Sequence, residues 1–264
     1  MGGKPLKVIL IPDYCNGGDV IITDTRIGNM LGLKGKRIGC EFSSLGIYIL
    51  QRALHRAGLS RDDVDLVNIE QSQGAAALEA GDIDAFVAYP PASIGVLQQA
   101  RYHALFFSSE IPHEIIDRLS LSEDVFEASP CIVPEIHQAW QMVLDFTVDH
   151  PEKAYEIMAQ REGISIDDVR HALSDLLVLN REEQYKLFHD PKKWDAMMNQ
   201  ICKTLVQINN INVECQALTL DLEHIEQASL LSIASRELAN ASIYRCFKKD
   251  SGGGLRITIS RERK

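Results

Sequence analysis

Between Leu33 and Pro90 the apolar positions switch back and forth between short continuous runs and a spacing of three to four residues, the two periods that mark strands and amphipathic helices. Lys34-Gly35-Lys36 turns the chain into an apolar strand over 37–40. Leu50, Ala53, Leu54 and Ala57 then recur at helical spacing behind Ser43 and Ser44, either of which suits an N-cap because a serine hydroxyl accepts from an unpaired first-turn N–H. Gly58 ends that helix as a C′ residue. Residues 65–69 predict a strand, 73–80 an alanine-rich helix backed by Gly81, and 83–89 a further apolar strand. A helix over 94–100 and a strand over 104–108 continue the series. Such alternation predicts a mostly parallel sheet covered by helices on both faces. Upstream, 7–11 and 19–23 are short β-branched runs on either side of a turn over 13–18, rich in residues that tolerate positive φ.

Beyond Pro112 the pattern becomes helical. Ile136, Ala139, Trp140, Val143, Leu144 and Val148 form one apolar stripe that stops before Pro151, a suitable first residue for the next helix. Ser165 and Asp168 form a capping pair ahead of Val169, Ala172, Leu173, Leu176 and Leu177. Asp190-Pro191 opens a helix carrying Trp194, Met197, Met198, Ile201, Leu205 and Ile208. These stripes are read as core. Residues 221–244 make one more amphipathic helix candidate, followed by a basic tail.

The chain has 264 residues, 45% of them hydrophobic and 24% charged, enough to bury a core in one large domain or two lobes. Its net charge of −10 argues against broad nucleic-acid binding. The charge is uneven, since 245–264 holds seven basic residues against Asp250 and Glu262. No run approaches the roughly 18 apolar residues that span a bilayer, and the start lacks the apolar region and cleavage site of a secretory signal. A removed leader or a start inside a longer protein is the expectation that follows. The six cysteines (Cys15, Cys40, Cys131, Cys202, Cys215, Cys246) show no C-x-x-C pair and no zinc spacing, so buried free thiols are the simplest reading.

Chemistry is sparse. The loop Glu41-Phe42-Ser43-Ser44-Leu45-Gly46 would offer free N–H groups and a partial positive charge to an anion or to a heterocycle with acceptor atoms, or would be an ordinary cap. Glu41 opposes an anion and suits an amine or amino-pyrimidine. Tyr89, followed by Pro90-Pro91, is placed to stack on or hydrogen-bond a ligand, or to serve as a structural aromatic. The Asn16-Gly17-Gly18 turn either presents backbone donors to the same crevice or only connects two strands. His113, Glu114 and Asp117 lack an H-E-x-x-H spacing and are read as structural; Asp82 and Asp84 solvate a turn. No serine sits in a G-x-S-x-G elbow, and Gly252-Gly253-Gly254 is no phosphate loop. No catalytic residue, cofactor or metal is expected.

Four pieces in order carry a resemblance: Asp13-Tyr14-Cys15-Asn16-Gly17-Gly18-Asp19; Leu33 to Glu41 with Ser43-Ser44-Leu45-Gly46; Gly81-Asp82-Ile83-Asp84-Ala85 running to Tyr89-Pro90; and Ser108-Ser109-Glu110-Ile111-Pro112 with Ile115-Ile116-Asp117. From Val8 to about Asn210 the chain resembles the nitrate/sulfonate/taurine and thiamine-precursor group of periplasmic substrate-binding proteins of ABC transporters. The resemblance implies an α/β, type II periplasmic-binding-protein-like fold, with two lobes, an incomplete first lobe and a helical C-terminal part. It implies a ligand clamped by hinge closure and delivered to an ABC transporter permease. By the same resemblance Asn16, Gly17, Gly18, Glu41, Ser43, Ser44 and Tyr89 line the cleft, and Cys15 stands where relatives usually show a serine. The divisions expected are 1–32 for partial lobe 1 and crossover, 33–112 for lobe 2, 113–212 for the helical remainder of lobe 1, and 213–264 for an extra helix and basic tail.

The function expected is capture of a small sulfonate, nitrate or amino-pyrimidine-type solute in the periplasm. Relatives begin with a further segment of about half a lobe, and the edge left open by its absence invites a homodimer. Two rivals share the fold: a ligand-binding sensor module of a signalling protein, and a pyrimidine-precursor synthesis enzyme. The latter requires a nucleophilic His or Cys cluster that the sequence does not show.

Overall fold

The structure, a computed structural model, describes residues 6–42, 44–129, 132–188 and 190–208 and the backbone of 243–249 and 255–261. One lobe is built on a five-stranded sheet of order β5-β4-β6-β3-β7, with β3 at Val20–Asp24, β4 at Arg37–Cys40, β5 at Asp65–Asn68, β6 at Ala85–Ala88 and β7 at Tyr102–Phe107. Helices α1 (Gly46–Arg56), α2 (Gln71–Ala80) and α3 (Ala92–Leu97) cover it. Ile21, Ala85, Val87 and Phe106 enter one core cluster with Leu50 and Leu54 of α1. Val20, Ile22, Phe86 and Ala88 enter the other with Leu78 and Val96 of α2 and α3. The period-2 alternation of side chains thus buries both faces of the sheet.

β4 pairs in parallel with β5 and β6, whereas β3 is antiparallel to both of its neighbours, β6 and β7. This corrects the mostly parallel expectation at one strand. β3 brings the chain in from the other lobe, so it enters the sheet at the end where β6 and β7 leave it. The expected division at residue 32 therefore falls inside one packed unit.

The other lobe holds two small antiparallel sheets. β1 (Leu6–Leu10) pairs with β8 (Leu119–Ser122), and β2 (Asp13–Cys15) pairs with β9 (Leu176–Val178). The turn expected over 13–18 is thereby shortened, and Leu176 and Leu177 leave the expected helix for a strand. Helices α4 (Glu123–Ala128), α5 (Ile132–Asp149), α6 (Pro151–Glu162), α7 (Ile166–Ser174), α8 (Arg181–Phe188) and α9 (Pro191–Gln207) complete it. Ser165 caps α7 through the expected box with Asp168. Ile136 and Trp140 pack on Ile9, Leu10 and Val133. Val143 and Val148, expected in the core, are 48% and 79% exposed, because α5 outruns the strand it packs on. α9 joins the lobes: Trp194 packs with Ile11 and Tyr14, while Ile201, Leu205 and Ile208 pack into the core that holds α1.

The 221–244 helix candidate lies outside the described residues except at its end, where Ile243 and Tyr244 begin β10 (Ile243–Lys249). β10 pairs antiparallel with β11 (Leu255–Arg261), so the expected basic tail carries a hairpin. Cys15 and Cys40 are buried free thiols, and Cys202, also buried, is disulfide-bonded. No helix among the described residues is long and apolar enough to cross a membrane.

Candidate functional site

Strands β4, β5, β6 and β7 end, and β3 begins, at one edge of the large sheet, the edge that faces the other lobe. Open α/β sheets bind ligands outside such carboxyl ends. Glu41 follows β4, Glu70 follows β5, Tyr89-Pro90 follows β6 and Ser108 follows β7. The Tyr89 phenol is held above its usual range by burial and by the negative charge of Glu41, Asp19 and Glu70 beside it. Glu41 accepts from the Gln71 amide at 3.4 Å, and Gln71 in turn donates to the Val87 carbonyl at 3.1 Å. Ser44 is not the cap: Leu45 holds that position in helical geometry, without a side-chain hydrogen bond. The Ser44 hydroxyl instead donates to the Glu41 carbonyl and accepts from the Gly46 amide, both at 3.4 Å. Ser43 lies outside the described residues.

The crossing turn is organised by Ser108, which is fully buried. Its Oγ accepts from the Gly17 amide at 2.8 Å and the Asp19 amide at 3.3 Å, and lies 3.3 Å from Cys15 Sγ. The Asn16 amide donates to the Asp175 carbonyl at 2.7 Å. Two of the donors expected from the turn, the Asn16 and Gly17 amides, are therefore engaged inside the protein, because a sharp crossing between lobes must satisfy its own buried amides first. Gly17 has φ of 140°, a backbone conformation that residues with a Cβ rarely adopt, and a Cβ there would lie 3.2 Å from Asp175 Oδ1.

A cavity of about 330 Å³ opens at this junction. Gly17, Gly18 and Pro90 form its floor, α3 and Phe107 one wall, and Asp168, His171 and Asp175 the opposite wall. Of the expected site residues it takes in Gly17 and Gly18. Glu41 and Tyr89 form their own pair farther along the edge. The α7 residues were missed because Asp168 was read only as a cap; the spacing 168, 171, 175 repeats the helical period and marks one polar face. Burial raises the Asp175 carboxyl above its usual range, while His171 beside it pulls it back. Among the described residues no group of three His, Cys, Asp or Glu side chains is placed to hold a metal.

The two segments that cross between the lobes form a short ladder: Tyr14 bridges Ile116, the Cys15 amide donates to the Ile115 carbonyl at 3.1 Å and the Asp117 amide to the Asp13 carbonyl at 3.2 Å. Asp13 and Asp117 face each other across it. Asp13 is buried, and its Oδ1 has no hydrogen-bond partner among the described residues. Burial, the charge of Asp117 and the hydrogen bond with it push the Asp13 carboxyl up to about 7. An acid raised in this way binds its proton more tightly folded than unfolded, so the contribution is most favourable below about pH 4 and is lost as the pH climbs to about 7. Urea unfolding from pH 4 to 8 should show a loss of a few kcal/mol over that window from this pair. Asp13→Asn should flatten the slope, and an unchanged slope would contradict this titration.

Residues 15–154 match the NMT1/THI5 like family. The chain belongs to the NMT1/THI5-like family. This family member is 26% identical, over 179 residues, to a protein of Brucella abortus (strain 2308) that carries a binding-protein name; the match covers 65% of this chain and 55% of that one. It is 31% identical over 88 residues to the taurine-binding periplasmic protein of Escherichia coli K12, covering 33% of this chain and 28% of that one. The chain spans about half the length of the Brucella relatives it matches. Among solved structures, the periplasmic aliphatic sulphonate binding protein SsuA of E. coli aligns with a TM-score of 0.66 at 16% identity, over 86% of this chain and 76% of that one. The desulfurization enzyme DSZB aligns at 0.61 and 16%, over 89% and 81%. These neighbours place the NMT1/THI5-like chain in the two-lobed type II periplasmic-binding fold.

Proposed function

We propose that this NMT1/THI5-like chain captures a small solute of the sulfonate, nitrate or amino-pyrimidine kind between its lobes, in the periplasm, and hands it to an ABC transporter permease. The observation that carries the reading is the cavity between α3 and α7 at the carboxyl edge of the sheet, walled by both lobes. A ligand touching both walls favours the closed arrangement by its differential contacts with the two states. The free thiols, which do not line the cavity, support a non-enzymatic role. Burial pushes the free thiols Cys15 and Cys40 up to about 11 and about 12, so both stay protonated at neutral pH and neither is an activated nucleophile.

The test is a thermal-shift panel of taurine, ethanesulfonate, nitrate and 4-amino-2-methylpyrimidine. A ligand at 100 times its Kd adds about 2.7 kcal/mol, which raises Tm by about 5–10 °C for a chain of this size. A flat response from a cooperatively folded protein, to this panel and to small organic ammonium ions alike, would contradict solute capture.

A further inference from the structure

Resting on solute capture at this cavity but departing from the ligand classes named above, we propose that the cavity takes a small organic cation, an ammonium carrying apolar substituents, rather than an oxyanion. Four features of the walls point the same way. First, the carboxylates of Asp168 and Asp175 line it, and no lysine or arginine does. The Asp168 Oδ2 is engaged in the Ser165 cap, whereas the Asp175 carboxylate accepts no hydrogen bond among the described residues. Second, α7 meets the cavity with its C-terminal turn, Asp175 being its C-cap, and the last turn of a helix presents the negative end of its dipole. Third, several of the backbone donors an oxyanion would need are already engaged. The amides of Asn16 and Gly17 bond Asp175 and Ser108, and those of Ser93 and Ile94, the second and third residues of α3, bond the carbonyls of Tyr89 and Pro91. Fourth, the opposite wall sets Val20, Ile94 and Leu97 beside Phe107, whose ring is partly exposed, with Ser93 and Gln98 as its polar members. A cation over such a ring is attracted by its quadrupole, while an anion is repelled. Glu41 and Glu70 at the same sheet edge extend the negative field toward solvent.

The inference is tested by thermal shift and calorimetric titration of the folded chain with choline, ethanolammonium and tetramethylammonium, against ethanesulfonate and nitrate. The expected result is a raised Tm with the cations alone and one site per chain. Affinity should weaken at least tenfold in Asp175→Asn, and likewise in Gln98→Lys, which sets a positive charge at the exposed rim. Cation affinity as strong as that of the wild type in either variant would overturn the assignment. Stabilisation by ethanesulfonate or nitrate with no response to the cations would overturn it while leaving solute capture standing. No response to any compound, these and those of the earlier panel together, would overturn both.

Discussion

Gly74→Ala is expected to destabilise the protein by about 3 kcal/mol, the upper part of the range for overpacked cores, which lowers Tm by about 6–12 °C. Gly74 sits in the middle of α2, where alanine normally gains about 1 kcal/mol in helix propensity. Here sterics reverse the sign. An added Cβ would lie 2.0 Å from Phe86 Cζ and 2.2 Å from its Cε2. Phe86 is fully buried on β6, held between β3 and β4, so the ring has nowhere to retreat. Chemical denaturation of the variant checks the magnitude, and Phe86→Leu in the same chain should restore part of the loss, since the two sites share one contact. A neutral or stabilising Gly74→Ala would mean that α2 is not seated on the sheet as described.

The second large effect is expected at Glu114. Its carboxylate accepts two hydrogen bonds from Arg52, Nε at 2.6 Å and Nη2 at 2.7 Å, and a third from the Tyr48 hydroxyl at 2.6 Å. The Arg52 and Glu114 side chains are only 15% and 13% exposed. Removing the carboxylate leaves a guanidinium and a phenol with little access to water, so Glu114→Ala should cost about 3 kcal/mol, the lower part of the range for breaking a buried pair. Tyr48→Phe removes one hydrogen bond to a charged group and should cost about 1.5–3 kcal/mol. The bridge ties α1 to the second crossing segment, and burial, followed by the hydrogen bond and charge of Glu114, holds the Tyr48 phenol well above its usual range. A loss below about 1 kcal/mol in Glu114→Ala, measured by urea unfolding, would contradict this coupling of the hinge to the sheet lobe.

Local pattern made much of the sheet lobe legible. β4, β5 and β6 fall within the expected runs, and Gly58 and Gly81 take the positive φ that ends their helices. The Ser165–Asp168 box and the Pro151 start were readable for the same reason: each is a contact between residues a few positions apart. What escaped depends on distant partners. Residues 13–15 look like a turn until 176–178 arrives to pair with them, and Leu176 and Leu177 fit a helical stripe equally well. Val143 and Val148 carry the same apolar signal as Ile136, yet whether a stripe is covered depends on the length of the strand beneath it. At the site, the glycines of the crossing turn were visible because turns announce themselves in sequence. Asp175 and His171 were not, because nothing local says which polar helix face will meet the crossing segments. Ser108 was present in a recognised motif, but its role as acceptor for the turn emerges only when β7 lies beside β3.

The central claim is that a solute occupies the junction between α3 and α7. It is tested most directly by comparing wild type with Gln98→Trp, in which an indole at an exposed rim position fills the cavity without disturbing the core. Thermal shifts are read with taurine, ethanesulfonate, nitrate, 4-amino-2-methylpyrimidine and choline. The account predicts that the compounds raising the wild-type Tm fail to raise that of Gln98→Trp, while the two proteins melt alike without ligand. Equal shifts in both proteins would show that the solute binds elsewhere and would contradict it.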